Sequence, residues 1–266
     1  MNSNPLVSIV IPTFNVRKYI RTTIESVLAQ TYGNWELLIV DDASTDDTLA
    51  VIDAIVGDSD RVRVFGLESN VGAGAARNIG IKEARGRYIA FLDADDWWYP
   101  TKLEEQVRYM LDNGYAFTFT AFEYADNDLN VTGVSHKPER ISYRGILRGN
   151  NIGTPGVMID VETIGKMYMP SLRESEDWAL WIAIIKKTGA AYSINKPLWK
   201  YRDHAPQNGR RKLDFLKANY RVYRDEVGMS ALTSMLMLLF VFLPSQIFKR
   251  IYNKIDSWRY LRRSSK

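Results

Sequence analysis

The chain has 266 residues, of which 46% are hydrophobic, enough for one large domain with an appendage; this excludes disorder as the default reading. It contains no cysteine and only two histidines, His136 and His204, which rules out disulfides and thiolate metal sites and leaves carboxylates and hard cations such as Mg²⁺ or Mn²⁺. The formal charge of +4 divides unevenly: residues 1–199 carry 20 Lys/Arg against 26 Asp/Glu, and residues 200–266 carry 15 against 5, so a basic tail follows an acidic body and points to an anionic partner.

The first five residues have no charged or apolar signal region, so no secretory leader is expected and a cytoplasmic location is. Apolar runs at 6–11, 35–40, 62–65 and 88–92 read as strands, and residues 19–30, 48–56 and 75–84 have helical apolar spacing. This β-α-β-α-β-α-β series predicts a Rossmann-like, mostly parallel sheet flanked by helices, with ligands at the carboxyl ends of the strands. Thr101-Lys102-Leu103-Glu104 reads as a capping box opening a helix to about residue 113, followed by a strand at 117–124. Residues 125–156, rich in Asn, Gly and Pro, read as a long excursion carrying substrate contacts. A strand at 157–160, a helix at 178–188, a strand at 198–202 and a helix at 212–227 complete the main domain.

The residues after the strands carry the chemistry. Pro12-Thr13-Phe14-Asn15 follows the first, Asp41-Asp42-Ala43-Ser44 the second and Asp93-Ala94-Asp95-Asp96 the fourth. In an extended segment Asp93 and Asp95 face the same side, and crowded carboxylates repel unless a cation joins them. The alternative is an acidic surface turn with a helix cap, against which stand the adjoining Trp97 and Trp98. A carboxylate at Asp42 can accept hydrogen bonds from a nucleobase or ribose, whereas Asp46 or Asp47 is expected to cap the next helix. Asn70-Val71-Gly72-Ala73-Gly74-Ala75-Ala76-Arg77-Asn78 fails as a dinucleotide fingerprint, because Arg77 occupies the third glycine position after the third strand. It reads instead as a small-residue helix entry with Arg77 available to phosphate or base; a helix packed closely on the sheet explains the small residues equally well.

Together the segments at 7–15, 40–44, 72–78 and 86–96 resemble the family 2 glycosyltransferases of GT-A fold, a resemblance covering about residues 6–202. It implies a glycosyltransferase that uses a nucleotide-sugar donor, with UDP as the expected nucleotide, and a Mn²⁺ or Mg²⁺ ion. The implied donor contacts are Pro12, Thr13, Asn15, Asp41, Asp42, Arg77, Asp93 and Arg202. Asp95 is the implied metal ligand, Asp93 is shared between ribose and metal, and Asp96 supports them. Within the family the chain is similar to bacterial enzymes assembling teichuronic acid, O-antigen or capsule, which implies a glycan or lipid-linked acceptor and an inverting transfer. Similar enzymes carry their catalytic base at the second residue of an acidic pair, which assigns that role to Asp177 in Glu176-Asp177; the alternative is that the pair merely favours the positive end of a helix. Similar enzymes also place a flexible segment over the diphosphate, which makes His204 a candidate third metal ligand and Arg202, Arg210 or Arg211 candidates to face phosphate.

Residues 227–248 lack any charged side chain, but the intense apolar part is short and Pro244 interrupts it. The basic residues beyond it are expected to stay cytoplasmic, so a single crossing by a cytoplasmic enzyme is inconsistent. The tail at 227–266 therefore reads as an in-plane anchor on an anionic membrane surface, apart from a glycosyltransferase domain at 1–226 whose nucleotide-binding half is about 1–100 and acceptor half about 101–226. Packing against the main domain or a subunit partner is the alternative, and a homo-oligomer stays open; no nucleic acid is expected. Two other functions are weighed. A sugar nucleotidyltransferase needs a Gly-rich triphosphate loop where Pro12-Thr13-Phe14-Asn15 stands, and a catalytically silent nucleotide-sugar-binding scaffold predicts loss of the acidic motifs.

Overall fold

The computed structural model describes residues 4–203 and 212–264. Strands β1 (Val7–Thr13), β2 (Trp35–Asp41), β3 (Val62–Gly66) and β4 (Tyr88–Phe91) pair in parallel in the order β3-β2-β1-β4. Helices α1 (Ile20–Leu28), α2 (Thr48–Val56) and α3 (Ala73–Glu83) cross over between them. Because successive strand residues point to opposite faces, β1 feeds two cores. Val10 joins Leu38, Phe91 and Ile81 of α3, while Ile9 and Ile11 join Leu37, Ile39 and Ile24 of α1. Gly80 permits the first of these: a Cβ there would lie 2.4 Å from Val10 Cγ1, so α3 lies on the sheet more closely than any side chain would allow.

Beyond β4 come β5 (Trp97–Trp98), α4 (Lys102–Asn113), β6 (Phe117–Ala125), β7 (Val131–Ser135), β8 (Arg140–Ser142), α5 (Tyr143–Ile146), β9 (Met158–Asp160), α6 (Val161–Ile164), α7 (Glu176–Thr188) and β10 (Ala190–Arg202). β9 runs antiparallel to both β4 and β6, and β10 runs parallel to β6. Hence β3, β2, β1, β4, β6 and β10 all point one way, with β9 and β5 against them. Thr13, Asp41, the 93–96 turn and Arg202 consequently meet at one edge of the sheet.

Several local details differ from the sequence reading. The 125–156 excursion holds β7, β8 and α5; β7 folds back on the preceding β6 as a hairpin, whereas β8 pairs with β10, which lies far along the chain. β10 begins at Ala190, eight residues ahead of the expected strand, with register shifts on either side of Pro197 that accommodate its missing N–H. The capping box does not form. Thr101 Oγ1 donates to Glu105 at 2.6 Å, and Glu104 accepts from Thr31 at 2.7 Å.

The C-terminal region comprises α8 (Lys212–Arg221), a π-helical turn at Val222–Glu226, α9 (Ala231–Met237), a second π-helical turn at Leu238–Phe242 and α10 (Leu243–Ser264). Residues Ala231–Arg262 are long and apolar enough to cross a membrane by length and composition. Yet one side of α10 lies along β7. Ser257 Oγ donates to Val134 O at 3.1 Å and accepts from its N–H at 2.9 Å, Asp256 meets the His136 ring at 2.9 Å, and Tyr260 donates to Glu123 at 2.7 Å. Apolar side chains are exposed along α9, the second π-helical turn and α10, with Leu232 at 71%, Phe240 at 72% and Phe248 at 72%.

Candidate active site

The end of β1 and the end of β2 are laced together. Asp41 accepts from Thr13 Oγ1 at 2.9 Å and from Ser44 Oγ at 2.6 Å and N–H at 2.9 Å, so its carboxylate organises the turn. Asn15 has a left-handed backbone (φ 53°) and accepts from Thr45 N–H at 2.8 Å. Asp42 accepts from the N–H groups of Val71 at 2.7 Å and Gly72 at 2.8 Å, holding the entry to α3. Asp46, one of the two expected caps of α2, accepts from Thr48 N–H at 3.0 Å. A cavity of about 390 Å³ opens beside Val71 and Gly72 and is closed by residues 170–173. A larger cavity of about 930 Å³ lies between α8 and residues 172–174; none of the acidic-turn residues lines it.

The acidic turn is buttressed from two sides. Arg77, 7% exposed, donates to Asp93 at 2.6 Å and to Glu176 at 3.3 Å. Burial opposes its charge, but Asp93, Glu176 and Asp177 outweigh burial and raise its pKa. Arg202 donates its N–H to Asp96 at 2.9 Å and Nε to Asp95 O at 2.7 Å, while its remaining nitrogens meet Asn127 O and Thr22 Oγ1. Arg77 and Arg202, both candidates for phosphate, thus serve as clamps on the turn. Trp98 is fully buried and donates to Pro155 O at 2.8 Å, so the tryptophans beside the turn extend the sheet.

Asp93 and Asp95 are half-exposed and Asp96 is buried. Burial, with Asp93 and Asp95 nearby, pushes Asp96 well above the usual carboxylate range, and its Oδ2 has no hydrogen-bond partner among the described residues. A cation would relieve both conditions. Among the described residues no group of three acidic or imidazole side chains is placed to hold a metal. His204, Arg210 and Arg211 lie outside the described residues.

Asp177 stands at the start of α7, behind Ser175 in a left-handed conformation (φ 62°). Its Oδ2 accepts from Asn150 Nδ2 at 2.8 Å and Thr154 Oγ1 at 3.1 Å, and Oδ1 accepts from Trp178 N–H at 2.6 Å. Burial raises its pKa against the pull of Arg77 and these donors. Glu176 is raised too, first by burial and also by Asp177 and Asp93. Gly74 lets α3 come this close, since a Cβ there would lie 2.7 Å from Glu176 Cγ. The sequence reading did not single out Asn150 or Thr154. Their only signal is the polar run Gly149-Asn150-Asn151, which names no partner.

The family profile for glycosyl transferase family 2 matches residues 8–169. The chain belongs to that family. It is 39% identical over 225 residues to a putative teichuronic acid biosynthesis glycosyltransferase of Bacillus subtilis, covering 84% of this chain and 89% of the relative. It is 35% identical over 253 residues to an Escherichia coli UDP-Glc:alpha-D-GlcNAc-diphosphoundecaprenol beta-1,3-glucosyltransferase, covering 94% and 98%. Among solved structures, Staphylococcus aureus TarS (residues 1–349) in complex with UDP-GlcNAc superposes with a TM-score of 0.66 at 19% identity, over 87% of this chain and 70% of that one. A Pyrobaculum calidifontis mannosyltransferase in complex with GDP-Man and Mn²⁺ gives 0.66 at 15%, over 88% and 70%. These structural likenesses carry the GT-A fold, and the family carries the enzyme class. This family 2 glycosyltransferase therefore places its acidic turn and Glu176-Asp177 pair around one guanidinium, that of Arg77.

Proposed function

We propose that the protein is an inverting, metal-dependent glycosyltransferase that moves a sugar from a nucleotide donor, expected to be a UDP-sugar, to a lipid-linked oligosaccharide or growing cell-surface polysaccharide. The single observation that carries this reading is Asp177, a carboxylate with a raised pKa, aimed by Asn150 and Thr154, whose neighbour Glu176 is joined through Arg77 to the acidic turn. The E. coli relative acts on a diphosphoundecaprenol-linked sugar, and the B. subtilis relative is named for teichuronic acid biosynthesis; both names support such an acceptor.

In this mechanism Asp42, Pro12, Thr13 and Asn15 border the nucleoside, with Asp41 shaping the turn beneath it. The acceptor hydroxyl gives its proton to Asp177 as its oxygen attacks the anomeric carbon, while the bond from that carbon to the diphosphate breaks on the opposite face. The configuration inverts in this one displacement. Asp95 and Asp93 would hold a divalent ion, which would supply charge stabilisation for the leaving diphosphate. Arg77 and Arg202 keep the turn in place.

The outer stripe of the tail, with Phe240, Phe248, Ile251 and Trp258 exposed beside Arg250, Lys254 and Arg259, supports peripheral attachment to the cytoplasmic face of an anionic membrane. Incubation with a panel of nucleotide sugars and lipid-linked acceptors, with and without Mn²⁺, tests the whole reading. Inversion at the transferred anomeric carbon is expected by NMR. A retained configuration, or equal transfer with the metal chelated, would overturn it.

A further inference from the structure

Between residues 135–151 and the tail helix lies a cavity of about 490 Å³, separate from the residues placed around the donor. Lys137, Arg140, Arg148 and Lys249 line it together with Phe248 and Tyr252, and no Asp or Glu does among the described residues. Asp256, on the same helix, is engaged by His136 at 2.9 Å. The two lysines point inward: Lys249 Nζ donates to Asn150 O at 2.7 Å, and Lys137 Nζ donates to Ser135 Oγ at 2.9 Å and lies 4.6 Å above the Phe122 ring. Burial lowers both amines, Lys249 to about 8, and Lys249 lowers Lys137 further. Desolvated ammonium groups near one another gain from an anion that both can share.

The surroundings of this cationic cavity define the anion. On one side Phe248, 72% exposed, and Tyr252, 58% exposed, belong to the apolar stripe of the tail. On the other, Asn150 presents its carbonyl to Lys249 and its Nδ2 to Asp177, so a single residue separates the cavity from the proposed base. A ligand suited to this site has a lipid chain at one end, phosphates in the middle and a sugar at the other end.

We propose that the cavity is the subsite for the diphosphate of a lipid-linked acceptor. The phosphates lie among Arg140, Arg148 and Lys249, the lipid leaves over Phe248 and Tyr252, and the sugar is directed past Asn150 to Asp177. This rests on the reading of Asp177 as the base.

Calorimetry on the full chain in neutral detergent, with farnesyl diphosphate, farnesol and UDP as separate ligands, tests it. Farnesyl diphosphate is expected to bind at least about tenfold more tightly than farnesol, and the double variant Arg140→Gln/Arg148→Gln is expected to remove that advantage. Both arginines are exposed, so the variant should keep its thermal midpoint and its UDP affinity. Equal binding of farnesol, or no effect of the double variant, would overturn the subsite. So would displacement of farnesyl diphosphate by phosphatidylglycerol vesicles alone, which would mark a general headgroup site. Failure of the unaltered protein to bind UDP would count against the donor reading instead, leaving the comparison of farnesyl ligands intact.

Discussion

Replacing Arg77 with Met removes the cation between Asp93 and Glu176 while keeping much of the side-chain volume. The side chain of Arg77 is 9% exposed, that of Glu176 12% and that of Asp93 31%, so the charges left behind are largely out of water. Removing one partner of a buried pair costs about 3–5 kcal/mol, and the lower end applies because Asp93 can reach solvent. At roughly 2–4 °C per kcal/mol for a protein near this size, the thermal midpoint should fall by about 6–12 °C. The sign of the pH dependence follows from Glu176 and Asp177, both already above their ordinary values of 4.5 and 3.8. A carboxyl whose folded pKa is raised makes the native state bind more protons, so its effect on stability worsens as pH climbs from the ordinary value through the folded one. Without Arg77 both rise further, and the deficit should be larger at about pH 8 than at about pH 5. Differential scanning fluorimetry at the two pH values measures this. A midpoint within error of the parent, or an equal drop at both pH values, would refute the idea that Arg77 holds these acids together.

Asp177→Asn should lower kcat by about 10²–10⁴-fold with donor KM little changed, measured by release of the nucleoside diphosphate; near-full turnover would require another base. Asp95→Ala should abolish the Mn²⁺ dependence of nucleotide-sugar binding in calorimetry, and unchanged metal dependence would remove Asp95 from the site. Asn150→Ala deletes one donor to Asp177 and should shift the acidic limb of the kcat pH profile upward, because a hydrogen bond to the ionised carboxylate is lost. Leu236→Asp with Phe240→Asp alters the exposed stripe only. Burying each apolar side chain is worth about 1.5–3 kcal/mol, so sedimentation with phosphatidylglycerol vesicles should fall at least about tenfold; unchanged sedimentation would place the membrane contact elsewhere.

Features set by neighbours in sequence were legible. The apolar runs give β1 to β4, and the helical spacing gives α1 to α3, because periodicity is a local property of the chain. The acidic residues at strand ends were legible as a group for the same topological reason. Contacts between distant segments were not. Nothing around Arg77 signals that its guanidinium meets residues 16 and 99 positions away, and nothing around Arg202 announces that it will brace the 93–96 turn. Thr101 fits a capping box locally, yet the tertiary partner Thr31 takes Glu104. Lys249 is one more basic residue in a basic tail until folding turns it inward to Asn150.

The pairings of α10 with residues 123–136 also bear on recombination between related enzymes. Tyr124 and Asn253 lie 3.0 Å apart, Gly133 leaves no room for a Cβ beside Ser257, and the His136–Asp256 and Glu123–Tyr260 contacts join segments more than 100 positions apart. A chimaera joined at residue 227 that borrowed only the tail of a relative would strand these groups or collide at Gly133. The exchangeable module is therefore discontinuous: a foreign tail has to travel together with β7 and the strand end it clasps, and shuffling by contiguous blocks will select against crossovers between them.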